Sequence, residues 1–121
     1  MRNVTVLLTS IGGAFIDDYV RALRQDPDLR VRLVGVDAQP EPKGRWLVDA
    51  FHQILRPDGH LEEYLAQLVA ICRNEQVTVA LPCSDGEALA MAVGSRRLAE
   101  AGVVVPVQDP EPVRICNDKR R

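Results

Sequence analysis

The sequence predicts an α/β fold: a Rossmann-like three-layer sandwich around a mostly parallel sheet of about five strands, the first strand central. Three observations carry this. Short β-branched, apolar runs alternate with helical stripes along the chain. The first run is apolar on both sides, as suits a strand covered by two layers. Clusters of Gly, Pro and Asp separate the segments at the places where the pattern changes. At 121 residues the chain is one domain by size and can bury a core without staples.

The elements follow in order. Asn3 to Thr9 reads as the first strand, and Ser10-Ile11-Gly12-Gly13 as the turn after it. Ala14 to Arg24 has helical spacing, with Phe15, Ile16, Tyr19, Val20 and Leu23 on one stripe. Asp26-Pro27-Asp28 ends it. Val31 to Val36 is the second strand, closed by Asp37. A loop rich in Pro and charge runs from Ala38 to Gly44, and a short helical piece from Arg45 to Ala50. Phe51 to Leu55 alternates as a short strand. After Pro57-Asp58-Gly59, the positions Leu61, Tyr64, Leu65, Leu68, Ile71 and Cys72 mark the clearest amphipathic helix. Val77 to Leu81 is a buried strand. Pro82 to Gly86 leads into a helix through Glu100, with Ser84 or Asp85 as its N-cap. Ala101-Gly102 ends that helix, and Val103 to Val107 is the last strand.

Composition narrows the function classes. The formal net charge is -2, so the chain makes no electrostatic bid for nucleic acid or an anionic membrane. Lys119-Arg120-Arg121 is the only dense basic cluster and reads as a solvated run. Cys72, Cys83 and Cys116 are odd in number and lack any zinc or disulfide spacing. They fit a reducing, cytoplasmic setting. The first apolar run is too short for a signal peptide, and no stretch is long enough to span a bilayer.

In such sheets ligands bind beyond the carboxyl ends of the strands, near the switch point. Three turns meet there. The first holds Ser10, Gly12 and Gly13, where glycines allow close backbone approach and a helix start favours an anion. Its spacing is neither GxGxxG nor a P-loop, so the glycines equally suit a plain strand-to-helix turn. The second is Asp37, placed to bond a ribose hydroxyl or to shape its own turn. The third brings Ser84, Asp85 and Glu87 together. A capping box, with Ser84 as cap and Glu87 three residues on, accounts for them without a ligand. His52 and His60 have no partner at a telling spacing and receive no role. Asp17-Asp18 fall a turn into their helix, too late for a phospho-receiver. Trp46 reads as a cover over a sheet edge.

Read together, the motifs resemble the pre-ATP-grasp domain, the N-terminal domain of ATP-grasp enzymes, in the version close to carbamoyl-phosphate synthase large subunits. The resemblance rests on T-S-I-G-G in the first turn, G-V-D at Gly35 to Asp37 and D-A-F at Asp49 to Phe51. E-E-Y-L with I-C follows at Glu62 to Leu65 and Ile71-Cys72. L-P-C-S-D-G-E lies at Leu81 to Glu87, G-V-V-V-P at Gly102 to Pro106 and N-D-K at Asn117 to Lys119. No one motif is specific; their order and spacing along nearly the whole chain are.

The resemblance implies a substrate-side domain, residues 1–110, with residues 111–121 opening an ATP-grasp domain. The expected activity is that of an ATP-dependent carboxylate–amine (or –thiol) ligase working through an acyl phosphate. ATP and magnesium would be held by the ATP-grasp domain, in the same chain or as a separate subunit, with Lys119 near the nucleotide phosphates. Ser10, Gly12, Gly13, Asp37, Ser84, Asp85 and Glu87 would face a small-molecule carboxylate substrate. The chain alone would not be catalytic, since the clamp and its metal-binding acids are not in it. A domain made to pack on another exposes an apolar patch, which is compatible with a homo-oligomer. Two other readings stand beside this one. One is a free-standing Rossmann-like module for a nucleotide or sugar nucleotide, using Gly12, Gly13 and Asp37. The other is a structural docking domain for a separately encoded subunit.

Overall fold

The computed structural model describes residues 2–13 and 16–105. Its sheet is parallel throughout and has the strand order β3-β2-β1-β4. The strands are β1 (Arg2–Leu8), β2 (Leu29–Asp37), β3 (Ala50–Gln53) and β4 (Val79–Leu81). β1 lies between β2 and β4, the central place expected for it. The described residues hold four strands rather than five. Where a fifth was expected, Val104 makes a single parallel bridge to Val79, and residues 106 and 107 lie outside the described residues.

Alternation along β1 divides the core in two. Val6 and Leu8 join Leu33, Ile11, Ile16 and Val20 on one face, beneath helix α1 (Ile16–Arg24). Leu7 joins Val34 and Val36 on the other, beneath α2 (Leu61–Glu75), α3 (Asp85–Val93) and α4 (Ser95–Glu100). Helices on both faces of a parallel sheet make the three-layer Rossmann-like sandwich.

Several boundaries moved for tertiary reasons. β2 starts at Leu29, earlier than its apolar run, because β1 pairs from Arg2↔Leu29 onward and backbone pairing does not require apolar side chains. The short helix before β3 is a 3-10 turn at Lys43–Leu47. The expected single helix to Glu100 is interrupted at Gly94. A Cβ there would stand 2.5 Å from Leu65 Cδ2, so this glycine lets the helix pair press against α2. Gly102 has φ +82 and Gln76 has φ +57, and each ends its helix in the left-handed region. Trp46 does not cover a sheet edge: it is 83% exposed, with the Arg45 guanidinium 5.5 Å from its ring centre.

Candidate ligand cleft at the strand ends

The carboxyl ends of β1, β2 and β4 converge on a cleft of about 300 Å³. Ser10, Asp37, Ser84 and Glu87 line it together with residues of the loop after β3. Two strand ends are fastened directly: Cys83 N–H donates to the buried Thr9 Oγ1 at 2.9 Å. The turn after β1 and the turn after β4 are therefore tied to each other.

Glu87 is the hub. Its carboxylate is buried and accepts from three hydroxyls on different elements. Ser10 Oγ donates to Oε1, Ser84 Oγ donates to Oε1 at 3.0 Å and Tyr64 Oη donates to Oε2 at 3.2 Å. Ser84 also accepts from Glu87 N–H at 3.4 Å, which makes it the N-cap of α3. The capping-box spacing is thus present. The Glu87 side chain, however, turns to hydroxyls of β1's turn and of α2 as well as to its own cap. Burial raises the Glu87 pKa above the ordinary carboxylate value; the hydroxyls of Ser84, Thr9 and Tyr64 oppose that rise, and the Asp37 charge adds to it. Burial, then the adjacent Glu87, pushes the Tyr64 phenol upward, so it stays a donor.

Asp37 has a structural task in the same place. Its Oδ2 accepts from Gly12 N–H at 2.8 Å and its Oδ1 from Gln39 N–H at 2.9 Å. A Cβ on Gly12 would lie 3.2 Å from Asp37 Oδ2 and 3.4 Å from Pro42 Cβ. The loop after β2 thus closes over the first turn, and Gly44 packs against the Ile11 carbonyl there. Ser10 sits at φ +49, a left-handed conformation uncommon for a residue with a side chain. That conformation accompanies its bond to Glu87.

The structure therefore brings four expected residues, Ser10, Asp37, Ser84 and Glu87, to one cleft. Gly12 and Gly13 are exposed in the adjoining turn and do not line it. Asp85 is exposed at the start of α3 and does not line it either. Lys119 lies outside the described residues, as does Cys116.

Two features of the cleft are not evident from the sequence. Tyr64 was placed in the core by its helical spacing; it is buried, and its hydroxyl reaches Glu87 23 positions away. Arg56, Pro57 and Asp58 form a wall of the cleft although only a turn was visible there. A third missed feature lies elsewhere. His52 Nε2 meets Glu75 Oε2 at 2.6 Å, and Arg32 meets Glu75 Oε1 at 2.6 Å, joining β2, β3 and the end of α2. These two bonds, His52 first, hold the Glu75 carboxyl below its usual value.

Burial pushes the Cys83 thiol up to about 11 and the Cys72 thiol up to about 12, so neither is a thiolate near neutral pH. Among the described residues no group of His, Cys, Asp and Glu is arranged to hold a metal ion. No helix among them is long and apolar enough to cross a membrane.

Comparison with protein-family models and with curated proteins finds no match. Among solved structures, the fold is similar to the biotin carboxylase domain of a single-chain bacterial carboxylase, at a TM-score of 0.58 and 22% sequence identity. The match covers 97% of this chain and 27% of that one. At this identity the likeness establishes a shared fold, and the present chain spans little more than a quarter of the larger protein.

Proposed function

We propose that this chain is the substrate-side domain of an ATP-dependent ligase of the ATP-grasp type, which joins a carboxylate to an amine or thiol through an acyl phosphate. The observation that carries the proposal is the convergence of Ser10, Asp37, Ser84 and Glu87 on one cleft at the strand ends. The fold shared with a biotin carboxylase domain supports the ATP-grasp assignment. The finer likeness to carbamoyl-phosphate synthase large subunits rests on the motifs alone.

In this reading ATP and magnesium are held by an ATP-grasp domain, in the same chain or in a partner subunit, with Lys119 near the phosphates. ATP supplies the phosphoryl group that activates the carboxylate. The residues of this chain bind and orient the carboxylate substrate. Glu87 fixes the Ser10 and Ser84 hydroxyls by accepting from both. Gly12, Gly13 and Asp85 flank the cleft and shape its rim.

One feature favours this reading over a nucleotide-binding module. The Gly12 amide, which would have to face a phosphate, already donates to Asp37, and Asp37 in turn is engaged by two amides. Neither group is offered to a dinucleotide.

The test is a hydroxylamine-trapping assay on this chain together with its ATP-grasp domain. Hydroxamate and ADP should form only with magnesium-ATP and a cognate carboxylate, and Ser84→Ala should raise the KM for that carboxylate. Tight binding of a nicotinamide or sugar nucleotide to this chain alone, with no hydroxamate formed, refutes the proposal.

A further inference from the structure

Among the described residues, the one positive charge lining the cleft is Arg56, on the wall formed by the loop after β3. Its backbone is tied on both sides. Ile54 N–H donates to the Asp37 carbonyl at 3.0 Å, Leu55 N–H to Gln67 Oε1 at 2.9 Å and His60 N–H to the Pro57 carbonyl at 3.1 Å. The Arg56 and Asp58 side chains are nevertheless exposed and make no hydrogen bond or ion pair with another described residue. The other two charged groups lining the cleft, Asp37 and Glu87, are engaged internally. A loop tied at three backbone amides therefore presents a guanidinium and, two residues on, a carboxylate, neither engaged by another described residue. Ile54 and Leu55 also line the cleft.

Charge matching selects among ligands. A polyphosphate would meet one guanidinium against the carboxyl groups of Asp37, Asp58 and Glu87. A plain carboxylate suits Arg56 and leaves Asp58 opposing it. A compound with both a carboxylate and an ammonium group satisfies both. The volume, about 300 Å³, is at the small end for ligand pockets.

We propose that the cleft takes a small zwitterion, an amino acid or a close analogue, with its carboxylate on Arg56 and its ammonium group on Asp58. This rests on the substrate-side reading of the same cleft and narrows its ligand. The groove that continues from the cleft past Gln53, Gln67 and His60 leaves room for a side chain.

The test is a nitrogen-15 NMR titration of the full chain with the standard amino acids, one at a time. The best binder is then compared with its deaminated and decarboxylated analogues and with ADP. Saturable shifts are expected at the Ser10, Asp37 and Arg56 amides. Each analogue, and each of Arg56→Ala and Asp58→Asn, should bind about ten- to a hundredfold more weakly, the usual worth of one charged hydrogen bond. Both side chains are exposed, so these variants should fold normally. If the deaminated analogue binds as tightly as the amino acid, the zwitterion is overturned while the carboxylate reading stands. If no amino acid shifts these amides at millimolar concentration, the proposal is overturned. If ADP alone shifts them, the substrate-side reading falls with it.

Discussion

Replacing Glu87 by Gln should remove a pH dependence from the stability of the fold. Glu87 is 8% exposed and its pKa is raised, chiefly by burial. A raised acid binds its proton more tightly when folded than when unfolded. Its contribution is therefore fully present below the unfolded value, about 4.3, and is lost as pH rises through the folded value. Across that window stability falls by up to about 1.4 kcal/mol per pH unit. Glutamine has no proton to lose, so Glu87→Gln should lack this decline. Its amide can still accept from the Ser10 and Ser84 hydroxyls at one atom. At the other it donates to Tyr64, as the protonated carboxyl it replaces can also do. The variant should then be close to the parent in stability near pH 4 and should gain on it as pH rises from the unfolded Glu87 value through the folded one. Urea unfolding followed by circular dichroism from pH 4 to 8 measures this; the exposed Trp46 is a poor fluorescence probe of the core. Other groups titrate in both proteins, so the difference between the two curves is the quantity to read. A difference that stays flat over the whole range refutes the claim that burial raises the Glu87 pKa.

Other outcomes are equally specific. Leu68→Ala empties a fully buried position under the sheet and should cost about 2–5 kcal/mol in urea unfolding. Gly35→Ala should cost about 1–3 kcal/mol by the same measurement, since its Cβ would stand 2.7 Å from Ile11 Cδ1 and 3.1 Å from both Val48 methyls. Glu75→Gln should blunt the loss of stability in acid. The Glu75 pKa is lowered, so its contribution is present above the unfolded value and lost as pH falls through the folded one, a window below about 4.3. If the proposed function holds, Lys119→Ala in the chain joined to its ATP-grasp domain should weaken ATP binding and leave stability unchanged, which calorimetric titration and thermal unfolding check separately.

Much of the fold was legible because burial follows periodicity. The amphipathic stripe at Tyr64, Leu65, Leu68 and Cys72 is buried as a helix face, and the apolar residues of β1 divide between two layers. The break at Gly94 was not legible. The residue that leaves no room for a side chain at this break is Leu65 on another helix, and no local propensity signals such a neighbour. For the same reason the His52–Glu75–Arg32 network stayed hidden: its members lie on three elements, and each looks like an ordinary surface charge in the sequence. At the cleft, the residues at strand ends were visible because the parallel topology dictates where such ends meet. Arg56 was not, since it follows a four-residue edge strand whose end the sequence placed two residues too late.

The fastening of Thr9 to Cys83 has a kinetic consequence. The two residues are 74 positions apart, whereas β1 meets β2 after a much shorter loop. Closing the longer loop costs more chain entropy, and contacts of such separation slow the search for the native state. The cleft is built across that long closure, so it is among the most demanding parts of the chain to assemble. A compound that bridges β1's turn and the start of α3 should therefore slow unfolding by holding together the contacts that span the longest loop.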